Sequence, residues 1–377
     1  MGLFDRSRKK KDEKLVQTAG RIYPQPLGMF GSRGSVSAEH RLYKSLRESV
    51  PIVDAAVCKL VRLAGGFSVK CTDKDTENDI NSFLKNVSVN GLQNGIDSFL
   101  NIFLDQMIIY GTAVGEIVLD DSGRNIAALY NASLDDVELT AGDSPLDVKI
   151  MSCDSQGNRS EVRYPSLVIC GTILDEPNRI YGNSVLRGLP FVCDIIGKIF
   201  KAIGTNWDRV GNVRFAVSYK PSDSDRSFSK ERAQQIASEW SKAMNSAQPR
   251  DFVSVGDVSV SVIGADNQIP DSQVPVRLLL EQIVSKLSVP PFLLGLSWSS
   301  TERMSAQQAD ILTSELEYYR RRLEPCIRRI CDMYLKLSGR MCGYSIEWDN
   351  INLQDEVELA KAKLLDAQAE NLMKERN

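Results

Sequence analysis

The chain has 377 residues, 42% hydrophobic and 25% charged, with 46 Lys and Arg against 49 Asp and Glu for a net charge of -3. This is globular composition, long enough for two or three sub-domains around a real core. It excludes a membrane-spanning run, which needs ~20 apolar residues. It also excludes a tight nonspecific grip on duplex DNA, which needs a marked basic excess.

Residues 1–36 read as a disordered basic arm, opening "MGLFDRSRKKKDEK". Gly2 invites a myristoylation reading, but Arg6 stands where that signal wants Ser or Thr. Ala38–Ser49 is predicted as a short helix, with His40, the single histidine, as a surface residue. Pro51 suits the first turn of a second helix, in which Val53, Val57, Leu60 and Leu63 recur at helical spacing. Gly65 and Gly66 end it, and "FSVKCT" alternates as a strand. Two amphipathic helices follow, in "TENDINSFLKNV" and "GIDSFLNIFLDQMIIYG". "AVGEIVLDDSGRNIAALYNAS" reads as two strands joined at Asp121–Arg124, where Gly123 supplies a positive φ. Strands are expected near 136–140, 147–152, 160–164 and 167–173.

Asn183 or Ser184 is positioned to cap a helix reaching Arg209, with Val192, Ile195, Ile196, Ile199 and Ile203 along one face. A strand–helix–strand module then interrupts the helical region: "NVRFAVSYK", a helix from Ser229, and "DFVSVGDVSVSVIG". A helix from Asp271 or Ser272 stops at Ser288–Gly295, "SVPPFLLG". After the polar "LSWSSTERM" comes a long helix, Ser305 to Leu337, spanning ~50 Å and bendable at Pro325. Its charged face (Glu315, Glu317, Arg320, Arg321, Arg322, Arg328, Arg329) reads either as solvated or as a subunit contact. "GYSIEWDNINL" is a strand and turn, and the chain closes in an Ala-, Glu- and Lys-rich helix.

Catalytic signatures are absent. There is no phosphate loop, G-x-G-x-x-G, H-E-x-x-H or G-x-S-x-G, and one histidine offers little for nucleophilic catalysis. Eight cysteines carry no C-x-x-C pair and point to a reducing compartment. Cys326, Cys331 and Cys342 are the only metal-site alternative among them, without a nearby histidine. Glu116 and Asp120, four apart on "EIVLD", are the one nuclease-like carboxylate pair, against the plain reading of structural acids. The chain reads as an α+β assembly component, against two rivals: a metal-dependent nucleic-acid enzyme using Glu116 and Asp120, and a membrane-associated scaffold using the basic arm.

From about Ser37 to Asp355 this order of features resembles the bacteriophage portal proteins, the ring-forming head–tail connectors of tailed phages. "MGLFDR" looks like a portal opening, "ESVPIVDAAVCKLVRLAGGFSV" resembles the family's first helix and strand, and "MIIYGTAVGEIVLDDSGRNIAALYNAS" its helix end and hairpin. "IYGNSVLRGL" looks like the start of a stem helix. "VRLLLEQIVSKLSVPPFLLGL" with "SAQQADILTSELEYYRRRLEPCIRRI" is similar to the portal signature, a helix ended by "VPP-x-LLG", a loop, and a long helix. Two departures stand out: no histidine in "SLVICGTILDE", and a short chain with room only for a small crown.

The resemblance implies a portal-protein fold with an α+β wing at 37–183 and a first stem helix at 184–209. It implies a clip at 210–271, a second stem helix at 272–288 and a tunnel-loop region at 289–304. A long wing helix at 305–338 and a short helical crown at 339–377 complete the layout. It further implies a structural, non-enzymatic ring of twelve copies in the virion, assembled in the host cytoplasm, with no cofactor, no metal and no membrane partner. Its partners would be double-stranded DNA passing during packaging and ejection, the terminase large subunit, the major capsid protein and a head-completion adaptor. The DNA-facing residues would be Ser297, Trp298, Ser299, Ser300, Thr301, Glu302 and Arg303. Trp298 either packs on a neighbouring subunit or stacks toward the channel; Arg303 either touches DNA or pairs with Glu302. Pro290, Pro291 and Gly295 would form the corner that carries this loop, and Lys220, Asp223, Asp225 and Arg226 the clip contacts.

Overall fold

The computed structural model describes residues 16–18, 38–144, 147–153, 158–211, 214–219, 229–244, 258–263, 272–296 and 302–351. The chain divides into two compact units, Met1–Cys193 with Leu280–Asn377, and Asp194–Leu279.

The first unit is α+β. Helix α1 (Ala38–Ser49) leads into α2 (Pro51–Leu63), which starts on its proline and buries Val53, Ala56, Val57, Leu60 and Val61. Strand β1 (Phe67–Cys71) and α3 (Lys74–Asn86) follow, α3 capped by Asp73, whose carboxylate accepts the Thr76 amide. Two short strands, β2 (Ser88–Val89) and β3 (Gln93–Asn94), precede α4 (Ile96–Tyr110). Gly111, at φ 78°, closes α4 by donating its amide to the Met107 carbonyl.

Strands β4 (Thr112–Leu119), β5 (Ile126–Ala132) and β9 (Val168–Thr172) join β2 and β3 in a sheet ordered β3-β2-β5-β4-β9. Between β5 and β9 run β6 (Val137–Ala141), β7 (Val148–Cys153) and β8 (Arg159–Glu161), an antiparallel sheet of their own. Nearly every residue of β4 is buried because both its faces are covered. One face meets α4, where Gly115 and Gly171 leave room for the rings of Phe99 and Phe103. On the other, Val114 and Val168 pack with Leu139, Ile150 and Val162 of the second sheet region. Strand alternation thus sends Ile117 to the helical core and Val114 to the inter-sheet core.

Helix α8 (Glu302–Leu337) contains Pro325 and buries Leu312, Leu316, Tyr319, Leu323, Ile327 and Ile330 at gaps of three and four. Strand β12 (Tyr344–Trp348) then pairs antiparallel with β1, Phe67 opposite Trp348. The charged face of α8 is neither simply solvated nor simply left for another subunit. Arg320 donates to the Ala64 carbonyl at 2.7 Å and lies over the Trp348 ring. Arg322 donates to the Thr172 carbonyl and pairs with Asp175, and Arg329 bonds the Ser166 carbonyl. These guanidinium groups finish loop ends that would otherwise leave carbonyls unpaired.

In the second unit, α5 (Leu189–Gly211) enters, β10 (Arg214–Tyr219) and β11 (Val258–Ile263) form a two-stranded antiparallel sheet, and α6 (Ser229–Met244) lies between them in sequence. Helix α7 (Gln273–Leu287) leads out again. The helix expected from residue 184 begins instead at Leu189, after Gly188 at φ 93°. Ser184 and Asn183 are spent on the preceding turn: Ser184 Oγ accepts the Leu186 amide, and Asn183 donates to the Leu174 carbonyl.

Two other expectations change. His40 is half-buried, its ring 5.2 Å from that of Tyr110 and 6.4 Å from that of Tyr181, and burial pushes its pKa down. Part of the arm expected to be disordered is placed: Gln17 and Thr18 form a turn, with Thr18 fully buried against β4. The predicted C-terminal helix beyond Ile351 lies outside the described residues.

Candidate functional site

The proline-broken stretch is a compact corner. Helix α7 ends at Leu287, Ser288 takes φ 53°, and Val289 and Pro290 are buried. Neither proline offers an amide to continue the α-helical ladder. Pro291–Leu294 instead winds one 3₁₀ turn, with the Leu293 amide on the Pro290 carbonyl at 3.0 Å. Gly295, at φ 74°, reverses the chain, and the Leu296 amide returns to the Pro291 carbonyl. Leu293 and Leu294 pack on the main core, and the turn contacts α2. The corner therefore fixes where α7 stops and where the following loop departs.

Ser297, Trp298, Ser299, Ser300 and Thr301 lie outside the described residues. Glu302 and Arg303 open α8, and their side chains are likewise outside the description. Lys220, Asp223, Asp225 and Arg226 also fall outside it.

The carboxylate pair separates. Glu116 is 1% exposed and takes four hydrogen bonds from the arm. Gln17 donates its backbone amide and Nε2 to Oε1, each at 3.1 Å. Thr18 donates its amide and hydroxyl to Oε2, at 2.9 and 2.6 Å. Gln17 Oε1 in turn accepts the Tyr164 amide at 2.9 Å. Asp120 lies past the end of β4, beyond a register shift at Val118 and Leu119, so the two acids do not share a strand face. It accepts from Ser122, Arg124 and Asn125 within its own turn, and the Ser122 and Asn125 side chains hold its carboxyl well below the usual range. Both acids follow the plain structural reading, Glu116 as an arm receptor and Asp120 as a turn acid; the shared strand face is what the structure corrects. Sequence spacing could not reveal the receptor, because its ligand lies 98 residues upstream.

The cysteine trio also fails to assemble as a metal site. Cys326 and Cys331 are buried, and burial pushes both thiols up, Cys331 to about 12. Among the described residues no group of three His, Cys, Asp or Glu is placed to hold a metal ion.

Removing the Glu116 carboxylate should free the arm. Glu116→Ala is expected to raise tryptic cleavage after Arg21 by about tenfold, the factor that ~1.4 kcal/mol of lost docking supplies. Mass spectrometry of a digestion time course reads this, and Glu116→Gln should recover part of the protection.

The second unit exposes large apolar side chains. Phe200 and Trp207 of α5 are 55% and 63% exposed, and Val274 and Leu278 of α7 are 60% and 57% exposed. The 200/207 and 274/278 spacings each place two side chains on one helix face.

No protein-family model and no curated protein matches the chain. Solved structures do. A chain from the neck of an empty gene transfer agent particle, computed with C6 symmetry, is 14% identical, with 88% of this chain and 90% of that one covered at a TM-score of 0.67. One from the native particle's neck, computed with C12 symmetry, is 15% identical, with 89% and 91% covered at 0.65. An HK97-family phage portal protein from Corynebacterium diphtheriae is 13% identical, with 86% and 98% covered, at a TM-score of 0.44. The chain has the fold of the gene transfer agent neck chains, an α+β architecture.

Proposed function

We propose that this chain is a portal protein, one subunit of a ring at a capsid vertex through which DNA is packaged and later ejected. The observation that carries the reading is a fold shared with neck chains over about nine-tenths of both partners. The exposed aromatic and aliphatic faces of α5 and α7 support it, since a closed ring lets each subunit present two different faces to its neighbours. Twelve copies is the proposed number, by analogy with the neck computed in C12 symmetry.

In this reading 37–183 and 305–338 are the wing, 184–209 and 272–288 the stem, 210–271 the clip, and 339–377 the crown. The loop carried by the proline corner, 297–303, faces the channel, with Trp298 packed on a neighbouring subunit or stacked toward the channel and Arg303 on DNA or paired with Glu302. Lys220, Asp223, Asp225 and Arg226 in the clip meet the terminase large subunit and later the head-completion adaptor, and the outer surface meets the major capsid protein. A net charge of -3 suits a conduit, because strong phosphate neutralisation would stall sliding DNA. The chain itself performs no catalysis in this role.

Negative-stain microscopy of purified full-length protein tests the reading. Closed rings with a central hole are expected. A uniformly monomeric population at high concentration would overturn it.

A further inference from the structure

Rings from three distant stretches of the chain meet in one cavity of the first unit. Its volume is about 430 Å³, within the size range of small-molecule sites, and Glu39, His40, Tyr43, Tyr110, Glu138 and Tyr181 supply its chemistry. His40 comes from α1, Tyr110 from the end of α4, and Tyr181 from the segment before α5. The His40 ring stands 5.2 Å from that of Tyr110 at 53° and 6.4 Å from that of Tyr181 at 66°. Neither pair is a parallel stack, so the rings close a corner instead of covering one another's faces. The Tyr181 hydroxyl accepts the Leu139 amide at 2.7 Å, which fixes that ring.

The charged groups around the corner are mainly acidic. Glu39 and Tyr43 lie one turn apart on α1, and the Tyr43 hydroxyl donates to Glu39 Oε1 at 2.7 Å, orienting that carboxylate. Glu138, on β6, has a buried Oε2 that accepts no hydrogen bond, although Arg159 Nε lies 2.9 Å from it. Arg179 is the only Lys or Arg among the described lining residues. Its guanidinium is engaged by Glu176 at 3.2 Å and by Asn183 Oδ1 at 3.0 Å. His40 adds no opposing charge at neutral pH, because burial pushes its pKa down. Aromatic faces attract a cation held within about 6 Å, and carboxylates add charge-assisted hydrogen bonds. An anion would meet two carboxylates instead.

We propose that this cavity binds an organic cation, an ammonium or guanidinium group, with the rings of Tyr43, Tyr110 and Tyr181 around it and Glu39 and Glu138 as its counter-charges. Two sources share that chemistry: a free small cation, and a basic side chain presented by a protein. The inference stands on the geometry of the first unit and not on the portal reading.

Saturation-transfer NMR titrations of the full-length protein test it. The charged probes are Nα-acetylarginine amide and choline, and Nα-acetylcitrulline amide is the uncharged match for the first. The arginine compound should bind about tenfold tighter than the citrulline compound. Tighter binding of the arginine probe than of choline supports the site with a side chain as its ligand; the reverse order supports it with a free cation. Glu39→Gln keeps an acceptor for the Tyr43 hydroxyl and removes one charge, so it should weaken binding about tenfold with circular dichroism unchanged. Tyr110→Leu removes a ring and should weaken binding as well, whereas Tyr110→Phe keeps the ring and should bind as the wild type does. Three results would each overturn the proposal: equal affinity for the arginine and citrulline compounds, no saturable binding of either charged probe, or wild-type binding by both Glu39→Gln and Tyr110→Leu.

Discussion

Gly182→Ala is expected to abolish the native fold or weaken it by on the order of 4 kcal/mol, against total stabilities of about 5–15 kcal/mol for such domains. The reason is a junction of three backbone segments with no space between them. The Gly111 carbonyl accepts the Ile173 amide at 2.9 Å, the Ile173 carbonyl accepts the Asn183 amide at 3.0 Å, and the Gly182 amide donates to Thr112 Oγ1 at 3.0 Å. A Cβ on Gly182 would meet the carbonyl oxygens of Gly111 and Ile173, both main-chain atoms that cannot swing aside. A Cβ on Gly111 would lie 2.5 Å from the carbonyl carbon and oxygen of Gly182 and from the carbonyl carbon of Asn183, and its φ of 78° penalises any side chain as well. Gly123→Ala is the control. Its φ is 66° but nothing lies near its Cβ, so the cost should be only about 1–2 kcal/mol. Soluble yield and urea melts followed by circular dichroism distinguish the two. Equal melts for both variants would remove the junction as the cause.

Phe200→Glu combined with Trp207→Glu should abolish rings while leaving the first unit folded. Both side chains project from one face of α5 and are more than half exposed. Each aromatic buries about 150–250 Å² when covered, and a carboxylate in its place would have to be desolvated against an apolar neighbour. Sedimentation should therefore shift from a ring to a monomer, with helical circular dichroism kept. Val274→Glu with Leu278→Glu should do the same from α7, because a ring needs both of its faces. Rings at wild-type abundance in both double variants would rule these faces out as subunit contacts.

The elements most legible in the sequence are those whose signal is local. Helix α4 shows its apolar spacing and its terminal glycine, and β4–β5 show alternation around Gly123. The start of α5 was not legible, because Asn183 and Ser184 are good caps in isolation but belong to a turn that a backbone junction dictates. His40 looked like a surface residue because its cover, Tyr110 and Tyr181, comes from distant segments. Glu116 looked like half of an acidic pair because spacing along one strand carries no information about a ligand from the arm. The corner at Pro290 and Pro291 announces a helix stop by composition alone, whereas its docking on α2 is a tertiary fact.

The docking of Gln17 and Thr18 on Glu116 also sets an order in time. The arm segment leaves the ribosome well before β4 exists, so at that moment its donors have only water as partners. Meanwhile β4 can pair with β5 as soon as their hairpin is made, a contact between near neighbours that closes quickly. The Glu116 carboxylate then waits, hydrated, at a sheet that is already built, and the arm must find it across a loop of about a hundred residues. Among the contacts described, this one is placed to form late and to open early, so a segment made before β4 is sealed only after it.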